Sequence, residues 1–454
     1  MSKLPNSWAM TPLGELLSHI VGGGTPSKAN NSHFQGSIPF MTVKDMHARF
    51  LDDTQDHITQ TAVNDSATAV IPADTLVIAT RMSLGKIARP RIATAINQDL
   101  KALFLHDGVH KTYVEYLWRA HEQQIQAMGT GTTVKGIRLE DVRGLAVPLA
   151  PTSEQRRIAD QLDAMLARVN ACNDRFDGIP AILKRFRRAV LSAATSSDLT
   201  EDWRANRENV DEWTAQPLSD LGEVGRGKSK HRPRIDPRLF GGPSPFIQTG
   251  DVAQSGGHIT KHSQTYSAFG LGQSKLWPAG TVCITIAANI ADTAILTYPA
   301  CFPDSVVGFV PDTSKCVGQF VKWSIEVIRE DLEAFAPATA QKNINLAVLN
   351  SVRIRCPALE EQTEIVRRVE SLFAIADRLE ARCTAAHAQV ARLTPLLLAK
   401  AFRGELVPQD PADEPASELL ARLCQRRADN STGSSKRRGA KPGHASVART
   451  ASSA

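Results

Sequence analysis

A repeat with a period near half the chain constrains this sequence more than any other feature, because a fold written twice must build each copy from the same elements. Pro39-Phe40 recurs as Pro245-Phe246 and Asp45 as Asp251, both 206 residues on. Pro72-Ala73-Asp74-Thr75 recurs at the same spacing as Pro278-Ala279-Gly280-Thr281. Glu154-Gln155 recurs as Glu361-Gln362 at 207, and Leu13-Gly14-Glu15 as Leu221-Gly222-Glu223 at 208. So small a drift implies short loop insertions in a tandem duplication.

Each copy has two parts. The first is a mixed segment of short β-type runs, such as Thr75–Ala79 and Thr281–Ile286, separated by Gly, Pro and Asp. The second is a helical segment with apolar residues at alternating steps of four and three, the spacing of a coiled-coil seam. In the first copy the seam carries Ile158, Leu162, Met165, Val169 and Phe176. In the second it carries Ile365, Val369, Leu372, Leu379 and Val390, in the same phase. One such seam reads most simply as a helix covering its own domain; two in phase favour packing against each other. Thr152 with Gln155 resembles a capping box. Glu154-Gln155-Arg156-Arg157, Glu364, Arg367 and Arg368 are expected to face outward. Breaks are expected at Gly178 and Pro180 and at Pro395.

The expected fold class is α+β: two tandem mixed α/β domains separated by long helices that pair as an antiparallel coiled coil, with pseudo-two-fold symmetry. The boundaries expected are a first head at 1–151, a helical spacer at 152–205, a second head at 206–357, a second spacer at 358–407, and a C-terminal extension at 408–454. From Thr152 to Asp177 a helix spans about 39 Å at 1.5 Å per residue. That is close to one DNA turn of about 34–36 Å, so the helices are suited to hold two readers on one duplex.

Composition narrows the class. The net charge is +6, but the tail from Asn430 holds Lys436, Arg437, Arg438, Lys441, Arg449 and no acid, so residues 1–429 carry only +1. Any DNA contact by the folded body must therefore use local basic patches or a partner's charge. The tail itself reads as disordered. Seven cysteines, none in a C-x-x-C pair, argue against a disulfide framework or a zinc site. His121-Glu122 begins like a metalloprotease motif, but Ile125 stands where the second histidine belongs, and no metal is expected. No apolar run approaches the roughly 18–20 residues of a membrane span, and the start lacks a secretory signal. A cytoplasmic protein is expected.

Gly222 to Ser229 matches the phosphate-cradling pattern G-x-x-x-x-G-K-[ST]. That loop needs a buried strand before it and a helix after it, and Pro233 and Pro237 forbid the helix. A P-loop nucleotide-binding enzyme and a structural coiled-coil adaptor without a DNA role are the alternatives. Side chains suited to base edges or phosphates fall in loops of both copies. In the first head they are Ser27, Lys28, Lys44, Arg81, Ser83, Lys86, Thr132, Thr133 and Lys135. In the second they are Lys228, Lys230, Arg232, Gln248, Asn289, Gln341, Lys342 and Asn343. No catalytic set stands out.

These motifs, in this order, resemble the specificity subunits of type I restriction–modification enzymes. The resemblance is carried by Gly22-Gly23-Gly24-Thr25-Pro26-Ser27-Lys28, Ile38-Pro39-Phe40, the run Gly131 to Ile137, and Pro151 with Glu154-Gln155. It continues through Pro245-Phe246, Thr339 to Ile344, Glu360-Glu361-Gln362 and Ala401 to Val407. It implies two target-recognition domains, each reading one half of a bipartite asymmetric site in double-stranded DNA. It also implies helical spacers that dock two methyltransferase subunits, and a restriction (nuclease/translocase) subunit in the larger assembly. S-adenosylmethionine, ATP and magnesium would sit on those partners, with no cofactor or metal in this subunit. The second head departs from the pattern, with Gly225-Arg226-Gly227-Lys228-Ser229-Lys230 in place of the triple glycine.

Overall fold

A computed structural model describes residues 4–131, 134–208, 211–287, 291–329 and 346–437, the last stretch from 427 as backbone. The chain divides into two compact units, residues 1–174 with 387–454, and residues 175–386.

The strands of the first unit are β1 (Ala9–Pro12), β2 (Leu17–Gly22), β3 (Ile38–Met41), β4 (Phe50–Leu51), β5 (Asp56–Ile58), β6 (Ala69–Ile71), β7 (Leu76–Ala79), β8 (Ile87–Pro90), β9 (Thr94–Ile96), β10 (Leu100–Leu105) and β11 (Ala146–Leu149). They form a five-stranded sheet in the order β2-β10-β7-β8-β4, a four-stranded sheet β5-β3-β9-β6, and the pair β1-β11. All four residues of β7 are buried, as expected of an unbroken apolar run in a strand covered on both faces. The helix Lys111–Ala120 buries Tyr113, Tyr116 and Trp118 in the core.

The second unit holds β12 (Thr214–Pro217), β13 (Gly222–Arg226), β14 (Phe240–Phe246), β15 (His258–Ile259), β16 (Gln264–Tyr266), β17 (Val282–Thr285), β18 (Thr293–Leu296), β19 (Val306–Pro311) and β20 (Arg353–Cys356). Its five-stranded sheet runs β13-β19-β17-β18-β15, the topology of the first unit written again. The pairs β14-β16 and β12-β20 accompany it.

The repeated residues are joints of this fold. Asp45 Oδ2 accepts the Thr42 amide at 2.7 Å, and Asp251 Oδ2 accepts the Gln248 amide at 2.8 Å. Thr75 Oγ1 donates to the Pro72 carbonyl at 2.8 Å, and Thr281 Oγ1 to that of Pro278 at 2.7 Å. Gln155 and Gln362 are fully buried. Gln155 donates to the Ala150 carbonyl and accepts the His110 amide, both at 2.8 Å. Gln362 does the same with Pro357 and Val317, both at 2.9 Å. Leu13 and Leu218 lie in matching turns, their amides donating to Leu145 and Val352, so Leu13 matches Leu218 and not the expected Leu221.

Two expectations about the first helical turn are thereby corrected. Glu154 and Gln155 are buried, not outward, because that turn lies inside the head and bonds its strand ends. Glu154 accepts the Trp8 indole N–H at 2.9 Å and the Gln409 amide at 2.5 Å. No capping box forms either: Thr152 Oγ1 donates to the Gly108 carbonyl at 3.0 Å, and Gln155 is already engaged.

The first long helix, Thr152–Ser196, runs through Pro180 without interruption. The second, Leu359–Ala391, stops at Arg392 and resumes as Leu393–Ala401, so its break precedes Pro395, whose ring crowds the carbonyl four residues back. Within the second unit the helices run antiparallel. Arg187 pairs with Asp377 and Glu380, and further along the first helix Val190 and Ala194 share a core with Ile365 and Val369. Within the first unit Ile158, Leu162 and Leu166 share a core with Leu398, Ala401 and Phe402. Val169 is buried, and Met165, Phe176, Leu372 and Val390 are half-buried. Leu379 departs from the expected seam at 45% exposed, with Ile375 at 41% beside it. Farther along, the seam is mixed, with Leu183 and Ala376 buried and Leu379 open.

The helix Ala416–Arg437 enters the segment expected to be disordered from Asn430. Ala416, Leu419 and Leu423 anchor it in the first unit's core. Among the described residues no helix is long and apolar enough to cross a membrane.

Candidate nucleic-acid interface

Glycine places the polar loops. A Cβ on Gly23 would lie 2.0 Å from the Ile96 carbonyl oxygen, and one on Gly227 would lie 2.4 Å from that of Phe302. Only glycine permits so close a crossing at the end of β2 or β13. The second head has thus lost the triple-glycine run but kept the glycine the crossing requires. The same geometry removes the P-loop reading: Gly222–Arg226 is a strand paired with β19, and the short 3-10 turn Pro237–Leu239 is the next helical element.

Beyond Gly23 the chain enters a cleft of about 510 Å³ in the first unit. Of the residues singled out in the sequence, Lys28, Lys44, Ser83 and Lys86 line it together. None of the three lysines makes an ion pair among the described residues, so their charge faces solvent. Sequence reasoning missed Thr25, Asn97 and Gln98, which also line the cleft. Thr25 Oγ1 donates to Gln98 Oε1. The signal was there in Asn97-Gln98-Asp99, a turn between β9 and β10 that carries base-pairing amides as well as turn formers.

A second cleft of about 530 Å³ is lined by Arg81, Thr130, Val134 and Arg138, and shares Met82 and Asp99 with the first. Arg81 forms a backbone bridge to Gly136, and Lys135 supplies the carbonyl that accepts the Met82 amide. Ser27 is exposed next to Lys28. Thr132 and Thr133 lie outside the described residues.

In the second unit Lys228 and Lys230 are exposed on the loop after β13. Arg232 is folded onto its own loop, donating to the Ser229 and His231 carbonyls at 2.7 and 2.9 Å. That loop also carries Arg234, which binds both carboxylate oxygens of Asp304 at 2.8 Å, and Arg238, stacked over the exposed Phe269 ring at 5.2 Å. His231 and Arg238 both bind Asp236, and the Arg238 contacts hold its carboxyl far below the usual range. Gln248 stands at the position of Thr42 and bonds Gln264 at 2.6 Å. Asn289, Gln341, Lys342 and Asn343 lie outside the described residues.

Comparison with known proteins follows the same division. The family model for the type I restriction modification DNA specificity domain matches twice, over residues 5–175 and 210–385. The type I restriction enzyme EcoDI specificity subunit of Escherichia coli is 29% identical over 94% of this chain and 96% of its own length. The EcoBI specificity subunit of Escherichia coli is 30% identical over 71% of this chain and 73% of its own. In fold, the chain resembles the HsdS subunit from Thermoanaerobacter tengcongensis, with a TM-score of 0.59 at 18% identity over 89% of this chain and 98% of that one. A chain from a type I R-M system superimposes with a TM-score of 0.63, also at 18% identity, over 89% and 100%.

Proposed function

Given that the chain belongs to the type I restriction modification DNA specificity domain family, we propose that each head reads one half of a split, asymmetric DNA site and that the long helices set the gap. It is a specificity subunit that binds DNA and assembles with modification and restriction subunits. The helical spacers seat two methyltransferase subunits. Catalysis, with its S-adenosylmethionine, ATP and magnesium, belongs to those partners. Work on cellular DNA places the assembly in the cytoplasm.

One observation carries the asymmetric reading. Scaffold positions are the same in both heads, as in Asp45 and Asp251, Thr75 and Thr281, and Gln155 and Gln362, whereas several polar positions around the first cleft are not. At the 206-residue spacing Thr42 is replaced by Gln248, Lys44 by Gly250 and Lys86 by Asp292. One scaffold presenting two different polar surfaces suits two unlike half-sites, since base edges are read by matched donors and acceptors. Lysine-rich cleft walls supply phosphate contact.

The test is genome-wide methylation mapping with and without this gene, in a strain that expresses the partner subunits. Loss of one methylated motif, built as half-site, unspecified bases and unlike half-site, is expected. An unchanged methylation pattern in the presence of the partners would overturn the reading.

A further inference from the structure

Met82 lacks the usual reason for an apolar side chain. It is 68% exposed, and its backbone sits at φ 65°, a left-handed conformation that side-chain-bearing residues adopt only at a cost. The turn around it holds that conformation in place. The Met82 amide donates to the Lys135 carbonyl at 3.0 Å, and the Ser83 amide to the Arg81 carbonyl at 2.7 Å. Burial does not compensate the strain.

The surroundings suggest what does. Met82 is shared by both clefts of the first unit, with Lys28, Lys44 and Lys86 on one side and Arg81 and Arg138 on the other, Arg81 lying 4.0 Å from the Asp99 carboxylate that both clefts share. Val134, 50% exposed, adds a second apolar surface to the same rim. An apolar tip flanked by cations complements a ligand with anionic flanks and an apolar centre. Duplex DNA has that form: phosphates along the groove edges, with thymine methyls and base faces between them. Resting on the DNA-reading function above, we propose that Met82 makes the apolar base contact of the first half-site, with the flanking lysines and arginines on phosphates. The second copy has Ala288 at the matching sequence position, so this contact belongs to one half-site only.

The experiment uses the full chain assembled with its modification subunits. It measures binding to a duplex carrying the mapped motif, to one altered in the first half-site, and to an unrelated duplex. Met82→Ala is expected to lose about tenfold in affinity for the motif, with binding to unrelated duplex and the salt dependence unchanged. Met82→Gly should lose as much while its Tm stays equal or rises, because glycine relieves the backbone. Met82→Lys should lose discrimination although it adds a cation. The paired change Lys44→Ala and Lys86→Ala should weaken binding to every duplex and flatten the salt dependence. If the Met82 variants bind like the parent while the lysine variant weakens, the Met82 contact is wrong and the DNA-reading cleft stands. If Met82→Lys binds the motif more tightly than the parent, charge alone operates there and the contact is again wrong. Unchanged binding by all of the variants overturns both the contact and the cleft.

Discussion

The buried glutamines and the acids near them show how much depends on single polar groups here. Gln362 satisfies a helix start and a loop amide at once, in a site closed to water. Removing it strands both partners, and an orphaned buried group costs about 1–3 kcal/mol. Gln362→Ala should therefore destabilise the second unit by about 2–4 kcal/mol, read as a shift in the denaturant midpoint. Glu364 gives the pH-dependent case. It accepts from Arg367 and Arg368 at 2.7 Å, and the two guanidiniums hold its carboxyl down to about 2, against an ordinary 4.5. A carboxyl depressed in the folded state stabilises the fold above its unfolded value and loses that effect as pH falls through its folded value. With Arg367 largely in solvent, the contribution is about 1 kcal/mol. Glu364→Gln should thus be less stable than the parent by about that amount at pH 7. The gap should close as pH falls from 4.5 toward 2, and a gap independent of pH would assign the effect to packing.

At the scale of elements, the two heads meet their long helices differently. In the first unit Glu115 is fully buried and gathers Arg49, Arg89 and Arg119 at 2.7, 3.3 and 3.2 Å. Arg49 also reaches Asp163 on the long helix at 2.5 Å and lies 4.8 Å over the Tyr116 ring. The second unit has Gly257 at this place, as the matching bonds from Arg89 N to Arg49 O and from Ile295 N to Gly257 O establish. Lys322 there turns to Glu326 instead, and a cleft of about 640 Å³ remains beside Glu370. Arg49→Met should cost the first unit about 2–3 kcal/mol, since it leaves a buried carboxylate short of a donor. Glu370→Gln should change the second unit by less than about 0.5 kcal/mol. Hydrogen exchange at β8 and β18 checks both, and equal effects would mean that Arg49 is not a tie. The repeat and the heptads made both heads and both helices legible in advance, because periodicity survives at every scale. Burial of Glu154 and Gln155 was not legible, since a polar first turn reads as solvent-facing until the head that encloses it is known. Pro180 was misjudged for a related reason: one lost backbone bond is outweighed where the rest of a long helix is held by packing. Four candidate residues of the first head converge on one cleft, but their neighbours Thr25 and Gln98 come from loops far apart in sequence, which spacing alone cannot join.

At the scale of the whole molecule, the duplication separates two tasks that a single domain would have to share. Under the proposed function, base choice resides in loops that differ between heads, and the gap resides in helices whose pattern is the same in both copies. A change in one should therefore leave the other intact. The helices offer the sharper test because their geometry is regular. Seven residues inserted at Asp177 and seven at Arg382 preserve the heptad phase and lengthen each helix by about 10 Å. At about 3.4 Å per base pair along one strand, that corresponds to about three base pairs. Methylation mapping of a strain carrying this variant should show both half-sites unchanged and the unspecified gap wider by about three base pairs. Altered half-sites would mean that the heads do not read independently of the helices between them. An unaltered gap would move the ruler from the helices to the partner subunits, and the in-phase seams would then serve assembly alone.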